Sequence, residues 1–145
     1  MESSKLLGFF AQIPRKTYLC HVISCSLYNF ARTGEPRVVS EEEGLRFASL
    51  IEYNLGRAKK ISTREMIPPH LYSVFAVQIP EFPMISHTAF VADVEPQVLI
   101  AESFCRPQLM SFEDFMEREK RNASSLYEFS FSLLEEFSRL NLSRW

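Results

Sequence analysis

Apolar and polar positions change period several times along the chain, and the changes mark its elements. In "TYLCHVISCSLYNFARTG" Leu19, Ile23, Leu27 and Phe30 recur at helical spacing and predict a helix. Thr17 can cap its start, Gly34 can close it in the left-handed conformation, and Pro36 stops further propagation. A shorter helix capped by Ser24 fits the same stripe. In "SEEEGLRFASLIEYNLG" Phe47, Ala48, Ile51 and Leu55 form the apolar face. Ser40 with Glu43 three residues on is a capping box, the first-turn glutamates suit the positive end of the helix dipole, and Gly56 ends the segment. Arg57, Lys59, Lys60 and Arg64 follow as a basic loop.

The period then falls to two. In "PPHLYSVFAVQIPEFP" Leu71, Phe75, Val77 and Ile79 fall on one face, and Tyr72, Val74, Ala76 and Gln78 on the other. This is a strand buried largely on both sides. "ISHTAFVADVEPQVLIAESF" reads as a hairpin. His87, Ala89, Val91 and Asp93 share one face of its first strand, and Val98, Ile100, Glu102 and Phe104 one face of its second. "SFEDFMEREK" is an amphipathic helix capped by Ser111. "SSLYEFSFSLLEEFSRLNL" carries both periods: Leu126, Leu133, Phe137 and Leu140 fit a helix, whereas Tyr127, Phe129 and Phe131 alternate. Its second half is read as helix. Helices, then antiparallel strands, then helices predict an α+β fold, and 145 residues suit one domain spanning 1–145.

Composition narrows the function. A net charge of −2 provides no bulk attraction to nucleic acid or to anionic membrane, and the basic loop near Lys59 is the only feature favouring a nucleic-acid role. Four glycines and the absence of a Gly-rich phosphate motif argue against a nucleotide loop. No apolar run approaches the ~18 residues of a membrane span, and the Leu6–Ile13 segment is too short and poorly flanked for a secretory signal. Three cysteines, Cys20, Cys25 and Cys105, suit reduced thiols in a cytoplasmic setting, or in a host cytoplasm if the chain is an effector or viral protein.

The hairpin raises a chemical question. If Glu95 and Pro96 form a two-residue loop, Val94 pairs with Gln97, Ala89 with Glu102, and His87 faces Phe104. Glu102 then lies diagonally from His87 on the same face, at roughly 7–8 Å between backbones. A three-residue loop instead turns Ser103 toward the histidine. A carboxylate amid "VLIAESF" needs a partner or an exposed edge. A carboxylate-held histidine is the orienting arrangement of a catalytic triad. The nucleophile to match is a thiol at a helix start, where the dipole lowers its pKa. Cys20 occupies that place if Thr17 is the cap, Cys25 if Ser24 is. Cys20 is favoured because it leaves a helix of ordinary length before Gly34. A cysteine on an apolar helix also serves as a small core residue. A zinc site from Cys20, His21, Cys25 and His87 lacks the paired Cys-x-x-Cys spacing, so no metal and no other cofactor is expected.

Cysteine on an early helix, histidine at the start of a core strand and a polar residue on the next strand follow the order of papain-like cysteine peptidases. The chain resembles in particular their small cell-wall amidase branch, the NlpC type. The stretches that carry the likeness are "CHVISCSLYNFARTG" for the cysteine helix, "HTAFV" for the histidine strand, "LIAES" for the strand of the polar partner and "SFEDFM" for the helix that follows, about Thr17 to Lys120 in all. The resemblance implies a thiol hydrolase with Cys20 or Cys25 as nucleophile, His87 as base and Glu102 where His, Asn or Asp is more usual. Its substrate would be a protein or small amide, or an ester or thioester. The other class is a non-enzymatic interaction protein (inhibitor, adaptor or chaperone) of viral or pathogen origin, with Phe9, Phe10, Phe82 and Met84 facing a protein partner.

Overall fold

The computed structural model describes residues 1–139; Leu140 of the expected last helix lies outside them. Three helices come first: α1 (Ser3–Gln12), α2 (Cys20–Thr33) and α3 (Glu41–Tyr53). A 3₁₀ turn (Leu55–Arg57) leads to β1 (Lys59–Ile61), β2 (Val74–Gln78), β3 (His87–Asp93), β4 (Leu99–Phe104) and β5 (Arg106–Ser111). Then come α4 (Phe112–Arg121), β6 (Ser125–Phe129) and α5 (Phe131–Arg139). The six strands form one antiparallel sheet in the order β1-β6-β2-β3-β4-β5, so the fold is α+β as the pattern predicts.

Helices cover both faces of this sheet, which explains why β2 is apolar on both sides. Val74, Ala76, Phe90, Ala92, Ala101 and Phe129 pack with α1, α2, α3 and α5. Phe75, Val77, Ala89, Val91, Ile100 and Leu126 pack with Phe112, Phe115 and Met116 of α4. The Ser40–Glu43 capping box and the Ser111 cap form as expected, and Gly34 closes α2 at φ 76°.

Several elements differ from expectation. The residue before α2 is Leu19, not Thr17, and no side chain caps this helix. Ser103 Oγ donates to the Thr17 and Tyr18 carbonyls at 2.8 and 3.0 Å, tying that stretch to β4 outside the helix. Lys59 and Lys60 belong to an edge strand paired with β6, not to a loop. Helix α3 stops at Tyr53, before Gly56. Leu71 and Ile79 lie outside β2, and Leu126 is in a strand. Phe9 and Phe10 are buried, Phe9 stacking on Phe30 at 4.6 Å, so only Phe82 and Met84 of the expected partner surface are exposed.

The hairpin register matters most. Phe90 pairs with Ala101 and Val91 with Ile100, the register that a two-residue loop gives. The loop itself is longer. Asp93 pairs with Leu99 across a bulge, and Val94 does not pair with Gln97. Asp93 Oδ1 accepts from the Val94 and Glu95 amides and so opens the turn (2.8 and 3.3 Å). The bulge absorbs the change of register between turn and strands.

Candidate active site

Cys20 is the first residue of α2, and its thiol is nearly buried. Three features hold it there. Ser103 anchors the preceding loop to β4. The apolar face of α2, with Ile23, Leu27 and Phe30, seats the helix on the core. Gly44 lets α3 cross the first turn of α2 closely, since a Cβ there would stand 3.0 Å from the Val22 backbone nitrogen. No side chain caps α2, the Val22 amide is held by the Leu19 carbonyl at 3.1 Å, and the positive end of the helix lies at Cys20, its first residue.

His87 opens β3. Alternation puts it with Ala89 and Val91 on the α4 face, at the end of the strand where the first turn of α2 comes within reach. Its Nε2 meets Glu102 Oε1 at 2.9 Å, and Phe104 stacks on the ring at 4.4 Å between centroids. The Cys20 thiol lies close enough to the ring for each group to shift the other's charge. With Nε2 on the carboxylate, Nδ1 is the nitrogen left to face sulfur. Carboxylate and thiol thus reach one ring from β4 and from α2.

Glu102 is fully buried and fully partnered. Arg118 of α4 grips it with both terminal nitrogens, Nη2 donating to Oε1 at 2.8 Å and Nη1 to Oε2. Gln108 Nε2 donates to Oε2 at 2.8 Å. Arg118 in turn donates from Nε to Glu119 Oε2 at 2.8 Å and lies 4.4 Å over the Phe104 ring. The guanidinium therefore fixes the carboxylate and, through Phe104, the outer face of His87.

A second imidazole flanks the thiol. His21 Nδ1 stands 3.6 Å from Cys20 Sγ and 2.8 Å from Thr88 Oγ1, so β3 orients this ring as well.

The charges are poised. Burial pushes the Cys20 thiol up, but the hydrogen bonds from His21 and His87 outweigh it and bring its pKa to about 5. Burial pushes His87 down, but its bonds to Cys20 and Glu102 raise it to about 9. Burial raises the Glu102 carboxyl, and Arg118 and His87 lower it to about 2. Between roughly pH 5 and 9 the stable form is a thiolate beside an imidazolium.

The structure thus brings Cys20, His87 and Glu102 together and leaves Cys25 apart. Cys25 is turned into the core and held by Asn29 Nδ2 at 3.8 Å, and burial raises its thiol well above the ordinary value. Ser24 lies mid-helix and caps nothing. Among the described residues no group of three or more His, Cys, Asp or Glu side chains gathers in a way that could hold a metal ion. Sequence reasoning did not find Arg118, Gln108 or the role of His21. One signal called for such a residue without naming it: a buried carboxylate needs a cation. No family model, no curated protein and no solved structure matches the chain.

Proposed function

We propose that the chain is a thiol hydrolase acting on an amide, ester or thioester. The observation that carries this is the convergence of Cys20, His87 and Glu102 at the uncapped start of α2, with a thiol pKa below that of the imidazole. A structural cysteine gains nothing from two imidazoles and a buried carboxylate beside it, whereas a nucleophile does.

The Cys20 thiolate attacks the carbonyl carbon, and the carbonyl π pair moves to oxygen. That oxyanion meets the Cys20 and His21 amides at the start of α2, since the Val22 amide is held by the Leu19 carbonyl. The intermediate collapses, the bond to the leaving group breaks, and the leaving group takes the proton of the His87 imidazolium. Water then gives a proton to His87 as its oxygen attacks the acyl-thioester. Sulfur leaves as thiolate, and the imidazolium is restored. Glu102 holds the ring and stabilises its charge throughout, and His21, its Nδ1 held by Thr88 Oγ1, stands beside the sulfur at 3.6 Å.

The pH dependence of alkylation tests this. Iodoacetamide labelling of Cys20, mapped by mass spectrometry, is expected to rise through about pH 5 and run level to pH 8. Cys105, exposed at the β4–β5 turn, is the internal reference, and Cys25 stays unlabelled in the folded protein. A Cys20 rate that climbs only near pH 9 would refute the ion pair, and with it the function.

Glu102→Gln probes the ring's orientation. The charge that raises His87 is lost, so hydrolysis is expected to fall roughly 10²–10⁴-fold, with the alkylation step moving to higher pH. Unchanged turnover would mean that His87 does not depend on Glu102.

A further inference from the structure

An open groove of about 400 Å³ runs between α3 and the β2–β3 loop, and His21 forms part of its wall. The same imidazole stands 3.6 Å from Cys20 Sγ, so the groove begins one ring away from the reactive sulfur. Its remaining walls are mostly apolar: Leu45, Ala48, Tyr53, Met84 and Ile85. Leu45, Tyr53 and Met84 are 53, 89 and 59% exposed, a concave concentration of large apolar side chains that water does not favour.

We propose that this groove holds the acyl part of the substrate, an unbranched hydrocarbon chain, with its carbonyl carbon at Cys20 Sγ. The proposal rests on the thiol-hydrolase reading and specifies its substrate class. Two observations select hydrocarbon over peptide. The main-chain amide of Ile85, which an extended peptide would use on this wall, is already held by Glu52 Oε1 at 2.6 Å. That bond also pins the loop against α3, so the groove is formed before anything enters it. Its volume exceeds that of any single amino-acid side chain, so one apolar residue of a peptide would leave much of it empty. Glu52 also disfavours an anionic group within the groove, which leaves the polar end of an acyl substrate at the thiol. Met84 adds an adaptable wall that can follow a flexible chain.

Chain-length-dependent alkylation provides the test, because it needs no turnover. The Cys20 thiolate displaces chloride from a chloroacetamide, forming a C–S bond. N-octyl- and N-methyl-chloroacetamide are compared at equal concentration below saturation, with labelling mapped to Cys20. Burial of only two methylenes supplies roughly tenfold, so the octyl reagent is expected to label at least tenfold faster. Ser49, exposed on the groove wall, is replaced by tryptophan to fill the groove from outside the core. Ser49→Trp is expected to bring the octyl-to-methyl ratio close to one. A ratio near one in the unsubstituted protein, with Cys20 still labelling fast at neutral pH, overturns the acyl groove and leaves the hydrolase reading standing. A high ratio that survives Ser49→Trp also overturns it, since the chain would then bind elsewhere. A dipeptidyl chloromethyl ketone that outpaces the octyl reagent and loses that advantage in Ser49→Trp replaces hydrocarbon by peptide as occupant. Slow labelling of Cys20 by every reagent overturns both readings.

Discussion

Cys20→Ala is expected to remove the proposed hydrolysis, by on the order of 10⁴-fold or more, because the proposed nucleophile is gone and its partners cannot act without it. Its effect on the fold should be small, since the side chain is short and sits at a helix start. Stability should nevertheless change its dependence on pH. His87 is raised from 6.5 to about 9, so its contribution is full below pH 6.5 and lost as pH rises through 9. Cys20 is lowered from 9.0 to about 5, so its contribution is full above pH 9 and lost as pH falls toward 5. From pH 6.5 to 9 the two slopes oppose each other, because folding merely moves one proton from sulfur to imidazole. The wild-type chain is therefore expected to hold a nearly level stability across that window. Cys20→Ala removes the thiol slope and also the Cys20 share of what raises His87, so only the weaker histidine slope that Glu102 sustains against burial is left, and with it a shallow loss of stability as pH rises. Chemical denaturation at pH 6 and 8.5, with ester hydrolysis at pH 7, checks both parts. Residual hydrolysis within tenfold of wild type would remove Cys20 from the chemistry.

How far this site can be read from the sequence depends on the range of the interaction. Local signals are legible: the Ser40–Glu43 box, the Ser111 cap and Gly34 each act within one helix turn, and each forms. The faces within each strand are legible too, since alternation groups His87 with Ala89 and Val91, and Glu102 with Ile100, but which of these faces meet depends on the register. The turn between them is less so. A bulge beside Asp93 adds to the loop while leaving the register of Phe90 and Val91 with Ala101 and Ile100 intact, so the facing was reached through a loop of the wrong length. Cys20 is at the helix start, but not because Thr17 caps it. A tertiary bond from Ser103, 86 residues away, holds the Thr17 carbonyl. Strand β5 is hidden because Pro107 speaks against a strand, and only its place at the sheet edge allows it. Helix α1 is short, and its Leu6, Phe9 and Phe10 show their meaning only when α2 is there to cover them. Arg118 was the least accessible. The need for a cation near Glu102 can be argued, but not which of sixteen Lys and Arg residues answers it.

Arg118→Met is expected to show how much rests on that answer. The substitution leaves Glu102 without its bidentate partner in a site from which water is excluded, a change that typically costs about 3–5 kcal/mol. The cost should depend on pH in a definite direction. In the wild-type chain the Glu102 carboxyl is held near 2, below its ordinary 4.5, so its contribution is full above about pH 4.5 and lost as pH falls toward 2. Without Arg118, burial dominates and pushes that carboxyl up. The gap between variant and wild type should therefore be widest at pH 7 and narrow as pH falls below 4.5. Activity should fall as well, because Arg118 fixes the carboxylate that holds His87 and supports the Phe104 ring stacked on it. Lysine in place of Arg118 is not expected to restore either property, since one ammonium cannot reproduce the planar two-pronged grip. Structure and chemistry separate in the double substitution Arg118→Met with Glu102→Leu. Removing both charges should recover much of the stability at pH 7, while the alkylation step of Cys20 and the hydrolytic rate stay impaired, because nothing then orients the imidazole. A single Arg118→Met variant within 1 kcal/mol of wild type at pH 7 would show that the carboxylate is not held as the structure depicts. A double variant with full activity would show that His87 needs no carboxylate at all.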